Sequence, residues 1–440
     1  MIKIFITLTT LIFTFNNVVY SNDDIDALRK EINDMKNIYE DRINDLENKL
    51  SEMEKDESLK VKSENIIKTR KIYGNEFNPS IGIVFNGRYN NFSEKTNELA
   101  GFAIGHEGER GRQGSFIGET EMNFSSNIDD SFYGSFVPAI VKEDGDTKVE
   151  LEEAFITTTP GANLPDGLAV KFGRAFWTLG YMNEHHAHSD DFADRPLPYR
   201  AYLNKAFNDD GLEVTYVLPT DFYFEVGGGA FRGDDFPAGT ADGENLGAWS
   251  AFARTGGDID ANQNWRVGIY TLNAEADGTA GRKGNEDEVT FIGNSDLYVV
   301  DIRYVYTPTG NAREQEIALQ GEFFARNEDG TYSEGTAYQF NGTSYGWYAQ
   351  GTMKLNPQWR VGARYSQLEA PAVPLALIGS AVDSSGHDPN VVSLMADWTN
   401  SEFSRIRFQA NHSDLHNGSD DKQFIIQYVM SAGAHGAHKY

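Results

Sequence analysis

Three of the nine histidines in this 440-residue chain fall within four positions, in "NEHHAHSDDF" at 183–192. His185, His186 and His188, with Glu184, Asp190 and Asp191, supply imidazole and carboxylate, a ligand set that suits Zn(II) and related divalent ions. The chain has no cysteine, so disulfides and thiolate metal sites are excluded and any ion must be held by His, Asp or Glu. Neighbouring loop residues cannot all converge on one tetrahedral centre without special backbone turns. A site would use two or three of His185, His186, His188 and Asp190, holding zinc or another divalent cation transiently, with a distant partner such as His435 or His438 of the tail "GAHGAHKY". The plainer reading makes these histidines polar lining, or hydrogen-bond partners that hold a loop against a wall. In either case protonation below pH ~6.5 would make the cluster positive and could gate a passage.

Other chemistry finds less support. There is no "HExxH", and the one "GxSxG" match, "GTSYG" at 342–346, runs straight into the alternating "WYAQGTMKL" instead of a helix, so it does not make a hydrolase elbow and no catalytic residue is expected. The formal net charge is −28, and the acidic excess persists beyond the first 70 residues. Such a chain does not bind nucleic acid non-specifically; as a vessel for small solutes it favours cations, the plain alternative being a solvated acidic surface. Anion capture would need converging Lys and Arg. Arg195, Arg200 and Lys205 near the cluster, with Arg110 and Arg112 in "GHEGERGRQG", offer such groups, but the acidic excess and the lack of a Lys or Arg run make that the weaker reading, those arginines pairing with carboxylates instead.

The opening "MIKIFITLTTLIFTFNNVVYSNDD" has one lysine, then an apolar run from Ile4 to Phe15, and reads as a secretory signal peptide over 1–21. From Ile25 to Met53 apolar residues recur at Ile25, Leu28, Ile32, Met35, Tyr39, Ile43, Leu46, Leu50 and Met53. The steps alternate between three and four except for one stutter, which predicts a self-associating α-helical coiled coil over 22–57. A polar linker, 58–78, follows.

From about Pro79 the period changes to two. In "DLYVVDIRYVY" Tyr298, Val300, Ile302, Tyr304 and Tyr306 share one face, and Leu297, Val299, Asp301, Arg303 and Val305 the other. "FSRIRFQAN" sets Ile406, Phe408 and Ala410 against Arg405, Arg407, Gln409 and Asn411, while "NWRVGIY" and "QWRVGARY" set Trp265 and Trp359 against Arg266, Arg360 and Arg364. An apolar face opposite a charged one, over about sixteen segments of ~9–13 residues, is the alternation of tilted transmembrane strands. Short links such as "NIDD", "PTD", "NPQ" and "TNSE" alternate with long ones near 93–113, 178–210, 234–247, 277–295, 327–342 and 371–389. The expected fold is all-β: a 16-stranded antiparallel transmembrane β-barrel over 79–440, preceded by the coiled coil.

The last strand, "QFIIQYVMSAGAHGAHKY", ends on Tyr440. A terminal aromatic of this kind resembles the signal read by the assembly machinery of bacterial outer-membrane proteins. Sixteen strands with a long third outer loop resemble the general and phosphate-selective porins, which are typically trimers, and the coiled coil is similar to that of the sucrose-porin group. The stretch 170–219 and the tail resemble barrels labelled zinc-regulated, TonB-dependent outer-membrane receptors. A receptor of that type needs a plug domain and more strands than this chain can supply, so the architecture favours a porin-like channel.

The resemblance implies an outer-membrane porin of a Gram-negative bacterium, a homo-oligomer and most simply a trimer, in contact with lipid and lipopolysaccharide, with its coiled coil in the periplasm. In such barrels the third loop, here 178–210, folds inward. It would set Glu184, His185, His186, His188, Asp190, Asp191, Asp194 and Arg195 at a constriction. Arg266, Asp301, Arg303, Arg360, Arg364, Arg405 and Arg407 would line the lumen. The contrasting class is an adhesin or structural tether without channel activity, suggested by the coiled coil and the glycine-rich outer loops.

Overall fold

The computed structural model describes residues 79–95, 98–143, 146–239, 246–284, 287–401 and 403–433. The signal peptide, the coiled coil, the linker, Tyr440, His435 and His438 all lie outside them.

Sixteen strands form the wall: β1 (Ser80–Phe92), β2 (Gly114–Ile117 and, past a short break, Thr120–Asn127), β3 (Phe132–Glu143), β4 (Asp146–Thr158), β5 (Leu168–Phe176), β6 (Asn208–Val217), β7 (Tyr223–Phe231), β8 (Ala248–Asp260), β9 (Gln263–Asp277), β10 (Asp287–Tyr306), β11 (Glu316–Ser333), β12 (Ala337–Lys354), β13 (Trp359–Glu369), β14 (Asn390–Ser401), β15 (Ser404–Asp414) and β16 (Asp421–Gly433). Each is antiparallel to its neighbours, and β1 closes on β16 from Gly82↔Gly433 to Phe92↔Gln423. Closure leaves no unpaired edge, the condition for strands to cross a bilayer.

The period-two pattern fixes which side faces out. Tyr298, Val300 and Ile302 of β10 are exposed on the outer surface, while Leu297, Val299 and Asp301 are buried inside. The same split holds in β9, β13, β15 and β16, where Ile269, Val361, Phe408 and Met430 point outward. Large apolar side chains exposed on strand after strand suit a lipid surface, where they cost nothing.

Two expectations change. The segments 277–295 and 327–342 are not simple loops. β10 runs for 20 residues and β11 and β12 for 18 each, so Asp329↔Asn341 and Gly330↔Phe340 are ladder pairs. Glycine and asparagine suggested a loop, but Phe291, Tyr332 and Phe340 keep the alternation and pack inward, with ring centroids 4.7 and 5.4 Å apart along the series. Gly293 and Gly330 face each other across the ladder, and a Cβ on Gly330 would lie 2.2 Å from the Ile292 carbonyl oxygen. Glycine here serves close backbone approach rather than a turn.

The half of the lumen nearer the long connections is filled. Leu99, Phe102 and Ile104 from the first connection, and Leu179, Met182, Leu197, Tyr199, Tyr202, Leu203 and Phe207 from the third, form one buried apolar cluster. It packs against wall residues including Trp177, Phe231, Tyr270, Leu272, Leu297, Phe324 and Tyr348. At about 1.5–3 kcal/mol for each fully buried large apolar side chain, this packing is the largest force holding the third connection inside the barrel.

Candidate functional site

The third connection turns inward at Gly180, whose φ is +78° and whose absent Cβ would lie 2.3 Å from Glu322 Oε2. Glycine is required there because only it takes this conformation without a clash. Beyond it, two short 3-10 turns, Met182–Glu184 and Ala187–Ser189, and the helix α1 (Leu197–Tyr202) carry the chain across the lumen. Glu322 fixes the entry: it accepts from the Met182 amide (3.2 Å), the Tyr199 hydroxyl (2.9 Å) and the Tyr348 hydroxyl (2.6 Å). Asn183 then bridges the two ends of the connection, donating to the Trp177 and Phe207 carbonyls and accepting from the Phe207 amide at 2.7 Å.

Helix α1 faces the apolar cluster, whereas 184–195 faces a wall of arginines in the half nearer the short turns. Glu184 pairs with Arg254 (2.7 Å) and Arg266 (3.3 Å), Asp191 with Arg360, and Asp194 with Arg364. Gln409 and Asn411 also donate to Asp194, at 2.6 and 2.9 Å. Arg405 donates to the His188 carbonyl and Arg407 to the Asp190 carbonyl. Arg303 stacks its guanidinium 4.7 Å from the Tyr181 ring centroid and bonds Gln320, while Asp301 accepts from Tyr270 and contacts Arg266. All seven lumen candidates therefore face inward, and Arg266, Arg360, Arg364, Arg405 and Arg407 bond the crossing segment directly.

These pairs set the charge state of the segment. Burial alone would raise the carboxyls of Glu184, Asp191 and Asp194, but the arginines outweigh it and hold all three below the usual range. Asp190 differs: burial dominates and raises its carboxyl despite the Arg195 contact at 2.9 Å. The acidic loop is thus neutralised pair by pair instead of presenting bare carboxylates to the lumen.

The histidine cluster divides. His185 turns its Nδ1 to the Tyr181 carbonyl (2.9 Å), and burial lowers its pKa. His186 and His188 point the other way, towards β2 and β4. His188 Nδ1 lies 2.8 Å from Glu121 Oε1; His186 Nδ1 lies 3.0 Å from both Glu121 and Glu152, and its Nε2 is 3.4 Å from Glu153. Burial would lower the His186 pKa, but the Glu121 charge and the three carboxylate hydrogen bonds hold it well above the usual value. Of the metal set expected from sequence, His186 and His188 come together; His185 and Asp190 are engaged elsewhere.

Glu121, Glu152 and Glu153 were missed because strict alternation cannot turn the adjacent Glu152 and Glu153 to one face. The ladder between β3 and β4 slips at Val137/Pro138, so Glu152 is an extra, bulged residue. Pro138 was the available signal: proline cannot donate to a ladder and inside a strand marks an edge or a bulge. The β1–β2 ladder shifts in the same way, Gly87 pairing with Ile117 but Val84 with Glu121, around the break that holds Glu119.

No family model matches the chain. An uncharacterized protein of Aquifex aeolicus is 24% identical over 396 residues, covering 83% of this chain and 80% of that protein. Among solved structures, the trimer form of OmpT, an outer membrane protein of Vibrio cholerae, aligns with a TM-score of 0.51 at 13% identity, over 81% of this chain and 99% of that one. The outer membrane channel DcaP of Acinetobacter baumannii aligns with a TM-score of 0.51 at 11% identity, over 81% and 97%. At these identities the likeness is one of fold.

Proposed function

We propose that this chain, whose barrel has the sixteen-stranded porin fold, is an outer-membrane channel for passive diffusion of small hydrophilic solutes and ions. The observation that carries this reading is the combination of a closed barrel, apolar outside and charged inside, with a third connection folded across its lumen. Such a connection narrows the passage and sets what crosses it. Contacts with β2, β4, β8, β9, β11, β12, β13 and β15 lie on several sides of the lumen, which favours ions and very small solutes over sugars.

The channel favours cations, divalent metal ions among them. Supporting this are the net charge of −28 and the carboxylates Glu119, Glu121, Glu152 and Glu153 on the side away from the arginine wall. The working form is a homotrimer, as the trimer form of the like-folded OmpT suggests, with residues 22–57 joining the three chains in the periplasm and Tyr440 read during assembly.

Planar-bilayer recording tests the reading. The expected result is stepwise conductance closing in three sub-levels, with a reversal potential in a salt gradient of the sign that cations carry. The contacts around the lumen favour a second reading, a sealed barrel serving as an adhesin or tether; a correctly folded protein that passes no current would establish it and sink the channel.

A further inference from the structure

We propose that Glu121, Glu152, His186 and His188 bind one divalent first-row transition-metal ion of the zinc class, which ties the inward connection to the wall. The ligand atoms of Glu121, His186 and His188 lie within 4.8 Å of one another, as do those of Glu119, Glu121 and Glu152, so the two sets share Glu121. They come from three separate segments that the fold brings together: β2 at and just past its break, the bulge in β4 and the crossing connection. A tetrahedral ion with bonds of about 2.0–2.1 Å needs ligand atoms roughly 3.3 Å apart. The contacts of 2.8–3.0 Å among these groups need to open by only about 0.4 Å to reach that spacing.

Charge and chemistry point the same way. Among the described residues, the carboxylates of Glu121, Glu152 and Glu153 form their ion pairs with the two imidazoles. With neutral imidazoles as ligands, three carboxylates gather in a site where Glu121 is 3% and His188 1% exposed. A dication compensates most of that charge without a new side chain. Two nitrogen and two oxygen ligands suit zinc-class ions and not calcium or magnesium, which take oxygen ligands. Glu153 at the Nε2 of His186 supplies the outer carboxylate that fixes the tautomer and leaves Nδ1 for the ion.

The test is calorimetric titration of zinc into the full-length chain folded in detergent, in a His435→Asn/His438→Asn background that removes the tail imidazoles. The expected result is one ion per chain, with affinity weakened at least tenfold by Glu121→Gln or His188→Asn and unchanged by His412→Asn on the rim. Cobalt(II) should give the strong visible absorption of tetrahedral coordination and lose it on adding zinc. Should the Glu121 and His188 variants fail to fold, Glu152→Gln gives the same readout at the less buried edge of the site. A folded barrel that takes up no zinc, or binds it equally well after these substitutions, overturns the proposal. Binding without conductance leaves this site standing and sinks only the channel reading; conductance without binding does the reverse.

Discussion

Removing the Asp194 carboxylate should release the crossing segment without unfolding the wall. Asp194 accepts from Arg364, Gln409 and Asn411, and its carbonyl takes a further bond from Arg364 at 2.7 Å. Asp194→Ala leaves Arg364, whose side chain is 2% exposed, without its counter-charge. Breaking a buried pair costs about 3–5 kcal/mol, and the carboxylate's own 30% exposure reduces this to about 2–3 kcal/mol. At about 1.4 kcal/mol per factor of ten, local opening becomes some 30- to 150-fold more frequent. Hydrogen exchange read by mass spectrometry is the assay, because the Ala193 amide is held at 2.7 Å by Gln409 and reports the opening directly. Protection should fall across 190–196 and stay unchanged in β9 to β12. Adding Arg364→Met should recover part of the loss, since much of the cost is the stranded cation. Unchanged protection in the segment, or a loss spread evenly through the wall, would refute the assignment of Asp194 as an anchor.

Three further outcomes follow from the same geometry. Glu322→Leu removes the acceptor of the Met182 amide and the Tyr199 and Tyr348 hydroxyls, and should lower stability by about 2–4 kcal/mol in a urea titration; no change would mean those donors find other partners. The folded pKa of His186 lies above its unfolded value, so its contact contributes fully below pH ~6.5 and is lost as pH rises through the folded value. The urea midpoint should therefore fall more between pH 6 and 9 in the wild type than in His186→Asn, and equal falls would count against the contact. Arg254→Gln uncovers Glu184, now held at 2.7 Å, and should move the reversal potential further in the cation direction; a shift the other way would place Glu184 off the ion path.

The barrel was legible in the sequence because lipid and lumen impose opposite demands on alternate residues, and Tyr298, Ile302, Phe408 and Trp359 meet the outer demand while Asp301, Arg407 and Arg360 meet the inner one. The inward course of the third connection was legible only through its length and the barrel class. Its apolar side was not: Leu197, Tyr199, Tyr202 and Leu203 lie in a short stretch whose pattern says nothing about what covers it. The pairing of Asp191 with Arg360 and of Asp194 with Arg364 spans about 170 positions, which local spacing cannot reveal. Glu121 and Glu152 were hidden by register shifts, which change the facing of a side chain without changing the sequence pattern.

The central claim is that ions pass beside the crossing segment, and the absence of native cysteine gives that claim a clean test. Glu184→Cys places a thiol where a side chain 27% exposed now stands between Arg254 and Arg266; Ile302→Cys places one on the outer face, where the native residue is 57% exposed. In planar bilayers a cationic, water-soluble thiol reagent should cut the single-channel current of the first variant within one addition and leave the second unchanged. A current through Glu184→Cys that the reagent does not alter, or no current through either folded variant, would contradict the account.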